Sequence, residues 1–363
     1  MDKVRIKQEE LVGFCKEVFK KLGCNEDEAL NTAEILVAAD ARGIESHGVG
    51  RLKRYVDGIK TKVMFVNQKP EILRETPMSI VLDANGAMGM NFSKNTMDHV
   101  IDMAKKNKVG FASTRNSNHF GIAGYYSEMA AKQNFIGITM TNTAALGVPT
   151  FSKKSMFGTN PIAISVPASK GRIFTLDMAT TCVTRGKLEV YNRNGSQLPI
   201  GWVVDTKGKD STKVTQVLED MLYQRGGGML PLGGSSKLMG GHKGYGLAEV
   251  VDIFTALLSA GDFGQHVFDS AQTSARVCHY FSAISIDLFR DIDEFKESMG
   301  GFLDELNNSP VADDCERVYY AGQRSHESEQ ESKEKGVPVA KNVIEILKKM
   351  GLEYNVEFPK YTD

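Results

Sequence analysis

Between residues 79 and 178, short apolar runs alternate with helical patterns, and no other feature limits the fold of this chain so tightly. Residues 79–82 read as a strand, after which Met97, Val100, Ile101 and Ala104 share one face of a helix. Residues 109–114 return to strand, 124–132 to helix and 136–141 to strand. Residues 161–167 alternate through Ile162, Ile164 and Val166, and 172–178 make one more strand. Strands alternating with helices of this length pack as a layered α/β domain. No GxGxxG occurs anywhere, so a standard Rossmann domain is not expected.

Ahead of that core, residues 1–62 read as helical. Leu11, Phe14, Cys15, Val18 and Leu22 fall at helical spacing before Gly23. Asn25 predicts an N-cap, with Glu28 completing a capping box. The helix over 29–41 is apolar on several faces (Leu30, Ala33, Ile35, Leu36, Val37, Ala38), which marks a buried helix. After Gly43 another helix starts near Val49, with Leu52, Tyr55, Val56 and Ile59 on one face. Further on, 186–235 is rich in turns, 245–260 is strongly helical, 281–288 alternates as a strand and 295–306 is helical. Residues 324–336 are charged and read as solvated. Pro338 opens a last helix carrying Val339, Val343, Leu347 and Met350.

Composition removes several classes of function. The 363 residues include 44 Lys plus Arg against 45 Asp plus Glu, a formal net charge of -1. No basic excess or basic run invites nucleic acid. No apolar run has the length of a membrane span, and the opening MDKVRIKQEE lacks an apolar signal core. The 5 cysteines are scattered, without CxxC spacing, which argues against a disulfide framework or a zinc site. A reducing, cytoplasmic enzyme acting on a small molecule is expected, with no nucleic-acid or membrane partner.

Candidate chemistry concentrates in a few stretches. His47, in ESHGVGR, falls at the joint between two helices, with Arg51 in the first turn of the second. An imidazole exchanges protons near neutral pH, and a guanidinium can hold a carboxylate in a fork. The plain alternative is a helical turn followed by a solvated arginine. His119, in NSNHFG, follows a strand, where loop residues often act on ligands. Ser46 beside His47 invites a hydrolase reading. Adjacent side chains rarely make a nucleophile and base, however, and no G-x-S-x-G elbow is present. A metal held by His47 and His119 lacks a further ligand at metal-site spacing. Asp177 closes the strand FTLDM, where a carboxylate can accept ribose hydroxyls, orient a histidine or cap a helix. GGHKGYG at 240–246 puts Lys243 and a helix N-terminus together, either as an anion cradle or as a glycine-rich turn.

Nine stretches in order resemble the malate/L-lactate dehydrogenase family that is unrelated to the Rossmann-type enzymes and includes sulfolactate, ureidoglycolate and diketogulonate enzymes. They are ESHGVGRLKRY, RNSNHFGIAGYY, TNTAALGVP, FGTNPIAISVP, LDMAT, RGKLE, GSQLPIGWVVD, LPLGG and HKGYGLAEVVD. The resemblance implies an α/β fold with a non-Rossmann mixed sheet for the cofactor and a helical N-terminal part joined by the C-terminal helix. The corresponding division is 1–75, 76–330 and 331–363. It implies NAD or NADP as cofactor and a homodimer with active sites near the interface. By position in the motifs, His47 is a proton carrier with Ser46 and Arg51 beside it, and His119 is the other histidine of the site. Thr143, the segment Ile173, Phe174, Thr175, Leu176, Asp177, Met178 and Ala179, and then His242 and Lys243 match cofactor contacts. Gly322 and Gln323 stand where the family carries a Pro-Gly-Glu run, so the carboxylate contact is lost and an amide takes its place. The segment 235–241 also departs from the family pattern.

The expected reaction is hydride transfer between NAD(P)H and C2 of a small 2-oxo acid, malate/oxaloacetate or L-lactate/pyruvate. Arg51, with Arg54, would hold the C1 carboxylate. A bulkier oxo acid, a cyclic imine carboxylate, or nucleotide binding without dehydrogenase activity remain as alternatives.

Overall fold

The computed structural model describes residues 3–268, 270 and 273–362; Met1, Asp2 and Asp363, at the outer ends of the expected terminal segments, lie outside them. In chain order, β1 (Lys3–Ile6) leads into helices α1 (Gln8–Lys21), α2 (Glu26–Ala41) and α3 (Leu52–Lys60). Then come β2 (Glu71–Glu75), β3 (Ser79–Asp83), α4 (Gly89–Asn107), β4 (Val109–Ser117), α5 (Ala123–Ala131), β5 (Phe135–Thr141), β6 (Ile162–Pro167) and β7 (Ile173–Met178). A third run holds α6 (Arg185–Arg193), β8 (Val203–Val204), α7 (Val214–Leu222), β9 (Gly228–Met229) and α8 (Gly241–Asp252). The chain closes with β10 (Val277–Ser285), α9 (Ile292–Asn307), α10 (Gln323–Lys335), β11 (Val337–Ala340) and α11 (Lys341–Tyr354).

The alternation becomes a 7-stranded sheet in the order β2-β3-β4-β10-β5-β6-β7. Only β3 and β4 run parallel; the other neighbours are antiparallel, so the sheet is mixed. Its residues alternate between two apolar layers, as strand geometry requires. Ala112, Phe281, Ala283 and Ala163 face α4 and α5, within the main core. Met140, Ile162 and Tyr280 face Val251 of α8 on the other side. Because β10 slots between β4 and β5, it is buried on both faces.

Several expected elements need correction. Residues 1–62 are not all helical: β1 pairs with β11, with Arg5 opposite Pro338. Val337–Ala340 is therefore a strand, and the last helix starts at Lys341 rather than Pro338. Each strand gets its hydrogen bonds from the opposite end of the chain, so no local pattern announces either. The turn-rich segment 186–235 contains α6 and α7, packed on a small core of Leu188, Leu198, Val203 and Val217. The charged run 324–336 is mostly α10, tied down by the Ser332 hydroxyl on Ala41 O at 3.0 Å. Beyond Ser285 the expected strand turns into a 3-10 turn, Ile286–Leu288. The capping box is half realised. Asn25 Oδ1 accepts the Glu28 N–H at 2.9 Å, but Glu28 reaches across to the Asn67 N–H at 2.8 Å.

Candidate active site

The SHG stretch is shaped by a carboxylate that sequence reasoning passed over. Residues Glu45–His47 and Val49–Arg51 form two short 3-10 turns between α2 and α3. From the last turn of α2, Asp40 Oδ2 accepts the Val49 N–H at 2.6 Å. A Cβ at Gly48 would stand 2.1 Å from the Asp40 carboxyl carbon, so only glycine lets the turn close on it. Burial pushes the Asp40 carboxyl up to about 7, against the pull of the Val49 N–H. An aspartate in the polar-looking run AADARG was the available signal.

Two imidazoles meet above this turn. The His47 and His119 rings stack with centroids 5.4 Å apart and planes 20° apart. His119 Nδ1 receives the Gly121 N–H at 3.3 Å and lies 2.6 Å from the Tyr55 hydroxyl. An N–H donor makes Nδ1 an acceptor, so the proton of the neutral ring sits on Nε2. Tyr55, expected only as part of an apolar helix face, thus orients a site histidine. His47 Nδ1 lies 2.8 Å from Ser46 Oγ; the tight turn brings together two adjacent side chains that were not expected to bond. Burial first, then Arg51 and Arg54, hold His47 down to about 4. Burial and Arg54 hold His119 well below the ordinary imidazole value.

Both rings open on a cleft of about 570 Å³. Ser46, His47, Arg51, Arg54, His119 and Thr143 line it. Asn118, Thr141 and Asn142 form its floor at the ends of β4 and β5. Arg185, at the start of α6, lines it too, with its Nε on Glu189 at 3.0 Å. Arg51 Nε donates to Ser46 O at 2.8 Å, which ties the guanidinium to the turn. Among the described residues, no group of three or more His, Cys, Asp or Glu is placed to hold a metal ion.

The remaining candidates lie outside the cleft lining. Ile173, Phe174, Thr175, Leu176, Asp177 and Met178 form β7, the edge strand, and Ala179 follows it. Phe174 packs with Ala168, Leu303 and Tyr320. Asp177 Oδ2 accepts the Gly124 N–H at 2.7 Å, so this carboxylate caps α5, a helix earlier in the chain. The Thr175 N–H donates to Ala321 O at 3.1 Å, laying Gly322 and Gln323 along β7. A Cβ at Gly322 would stand 2.9 Å from the Thr175 Cβ. The Gln323 amide accepts the Tyr320 N–H at 3.3 Å and donates to Glu327 at 3.0 Å. Beyond β7, the Thr180 N–H donates to Thr159 O at 2.9 Å, joining the strand end to the cleft wall.

His242 and Lys243 are exposed in the first turn of α8. The glycines around them serve the chain itself. A Cβ at Gly241 would meet Gly234 O at 2.0 Å, and one at Gly244 would meet Leu232 O at 2.4 Å. Lys243 makes no salt bridge among the described residues. An ammonium at a helix N-terminus, joined through 230–232 and 180–182 to the cleft, fits the pyrophosphate of a dinucleotide.

A mixed sheet whose strand ends meet two stacked histidines and the arginines of the turn before α3, of α3 and of α6 fits a hydroxyacid dehydrogenase outside the Rossmann class, and the chain belongs to the malate/L-lactate dehydrogenase family, whose model matches residues 6–348. Malate dehydrogenase of Pyrococcus abyssi is 42% identical over 354 residues, covering 98% of this chain and 96% of that one. L-sulfolactate dehydrogenase of Methanocaldococcus jannaschii is 36% identical, with 96% of each chain covered. The crystal structure of malate dehydrogenase from Entamoeba histolytica superposes with a TM-score of 0.94 at 34% identity, covering 99% of this chain and 100% of that one.

Proposed function

We propose that this enzyme interconverts a 2-hydroxy dicarboxylate and its 2-oxo form, malate and oxaloacetate, with NAD or NADP. The observation that carries the reading is the pair of imidazoles His47 and His119 in one cleft with Arg51, Arg54 and Arg185. Arg51 and Arg54 hold the C1 carboxylate beside His47. Arg185 lines the same cleft from α6 and receives the second carboxylate. A monocarboxylate such as lactate leaves that guanidinium with Glu189 alone and without a substrate partner.

A nicotinamide dinucleotide, when bound, supplies or accepts the hydride at C2. Lys243 and the α8 N-terminus would hold its phosphates, and residues Ile173 to Ala179 with the 321–323 loop would contact it. His47 moves the proton. The Ser46 hydroxyl can donate to or accept from Nδ1, so either ring tautomer is satisfied and Nε2 can take or return the C2–OH proton. His119, with its proton on Nε2, donates a hydrogen bond to the same oxygen and fixes its position.

The enzyme works as a homodimer in the cytoplasm. Leu247, Val250, Ile253, Leu257 and Leu258 leave an apolar stripe exposed along α8 and the π turn Ile253–Leu257 that continues it. Such a stripe calls for cover. A second copy of the chain is the occupant. Sedimentation of wild type and Leu257→Asp tests this: a monomeric wild type sinks the dimer.

A panel of 2-oxo acids assayed with NADH and NADPH tests the substrate assignment. Oxaloacetate should give the highest kcat/KM. A higher value with sulfopyruvate would move the assignment to a sulfonate, which Arg185 can also hold. No turnover with any 2-oxo acid would overturn it.

A further inference from the structure

Under the floor of the cleft lies a histidine that the proposed chemistry leaves unused. His279, on β10, is fully buried. The pairing of β10 with β4 is interrupted by a register shift between Val277 and His279. Such bulges re-aim side chains and gather beside active sites. This one is pinned from the cleft floor. Asn142 Oδ1 accepts the Cys278 N–H at 2.8 Å, and the Thr141 hydroxyl donates to Cys278 O at 3.0 Å.

The His279 ring is held on three sides. Nδ1 lies 2.8 Å from Thr141 Oγ1, and Nε2 lies 2.9 Å from Ser117 Oγ. One face stacks on Phe120, with centroids 4.5 Å apart and planes 3° apart. The Thr141 proton is committed to the carbonyls of Cys278 and Asn142, so its oxygen accepts from Nδ1–H. Nε2 is then the acceptor, and Ser117 donates to it. Burial holds the ring neutral, down to about 3, against a smaller upward pull from the Asn118 backbone.

All three partners lie in or beside the site. Thr141 lines the cleft, Ser117 precedes Asn118, and Phe120 follows His119. The backbone of His119 is therefore flanked by two residues that rest on one imidazole. The Tyr126 hydroxyl, bonded to Phe120 O, holds the far side of the same loop. A leucine would leave the buried Ser117 hydroxyl without this partner, and the imidazole in turn must keep both of its nitrogens paired. What the imidazole adds is direction.

We propose that His279 is a positioning residue for the dehydrogenase reaction: it clamps segment 117–120 to β5 and so sets where the His119 ring stands over the substrate. The proposal rests on the reading of His119 as a substrate-facing group.

The test uses the full-length enzyme with oxaloacetate and the reduced nicotinamide that turns over. Misplacing a reacting group by about 1 Å costs roughly 10²-fold, so His279→Leu should lower kcat by about that factor. Cofactor affinity, read by fluorescence titration, should stay at the wild-type value. His279→Asn, whose amide can still donate to Thr141, should recover part of the loss. His119→Ala with His279→Leu should turn over no more slowly than His119→Ala alone, because the second change acts through the first. A purely structural His279 would lower Tm and leave the kcat of the folded enzyme unchanged, and a further fall in kcat on top of His119→Ala would mean that it acts independently of His119; either kinetic result overturns the proposal. If His279→Leu does not fold, Ser117→Ala removes the Nε2 partner alone, and an unchanged kcat there overturns it equally. A wild-type kcat in His119→Ala would instead remove the substrate-facing role of His119, and the clamp with it.

Discussion

The Asp40 carboxylate occupies the space that a side chain at Gly48 would need, with its carbon 2.1 Å from that Cβ position. The glycine of the SHG motif is thus explained by contact with α2. Gly48→Ala should force the turn carrying Ser46 and His47 away from Asp40. Overpacking of this kind costs about 1–3 kcal/mol, visible as a lower denaturant midpoint. Because His47 moves with the turn, kcat should fall as well; an unchanged midpoint and kcat would show that the turn does not need the contact.

Asp40 also sets a pH dependence. Its folded value is raised from 3.8 to about 7, so the folded state holds a proton that the unfolded chain has lost. The stability contributed by that proton is fully present below pH 3.8 and lost as pH rises through about 7. Asp40→Asn removes the titration and keeps an acceptor for Val49. Near pH 3 the variant should match wild type, at pH 5 it should already be the more stable by about 1–2 kcal/mol, and at pH 8 by up to about 4 kcal/mol. Urea melts at the three pH values check the divergence.

At the proton carrier, His47→Ala should lower kcat by roughly 10²–10⁴-fold while leaving cofactor affinity intact. The pH profile of kcat/KM for hydroxy-acid oxidation reports the free enzyme, in which His47 sits at about 4. Its acid limb should therefore lie well below the ordinary imidazole value. Arg51→Leu removes one of the charges that depress His47, so the limb should move up in pH as KM rises. A limb that stays in place in Arg51→Leu would separate the two side chains.

Substrate choice rests on α6. Arg185→Leu should raise KM for oxaloacetate more than for pyruvate, because only the dicarboxylate has a second group to match it. Loss of a charged hydrogen bond is worth about 1.5–3 kcal/mol, a ten- to hundred-fold change in kcat/KM. Equal losses on both substrates would place the second carboxylate elsewhere.

Beneath the expected cofactor strand, Glu128 joins Arg42 at 2.6 Å, His326 at 2.9 Å and the Thr175 hydroxyl at 3.0 Å. Burial opposes its charge, but the His326 bond and the Arg42 guanidinium pull it down to about 2. Glu128→Ala leaves Arg42 buried without that partner and should cost about 3–5 kcal/mol. In the wild type this contribution is present above pH 4.5 and is lost as pH falls toward 2. Thermal melts across that range, compared with the variant, should converge at the acid end.

The sequence by itself determined the layered α/β class, the places of most core elements and the stretches that carry chemistry. Local periods decide those, and His47, Arg51 and His119 sit in short segments whose turn and loop character is written nearby. What joined them was tertiary. The stacking of His47 on His119, the Tyr55 hydroxyl on Nδ1 and the Asp40 carboxylate under Gly48 connect residues whose separation in sequence carries no pattern. β1 and β11 stabilise one another only across the full length of the chain. Asp177 caps a helix 53 residues before it, and the sequence order hides the direction of that contact. His279 stood in an apolar run with no motif around it. Its partners, Ser117, Thr141 and Phe120, come together only because β10 enters the sheet between β4 and β5.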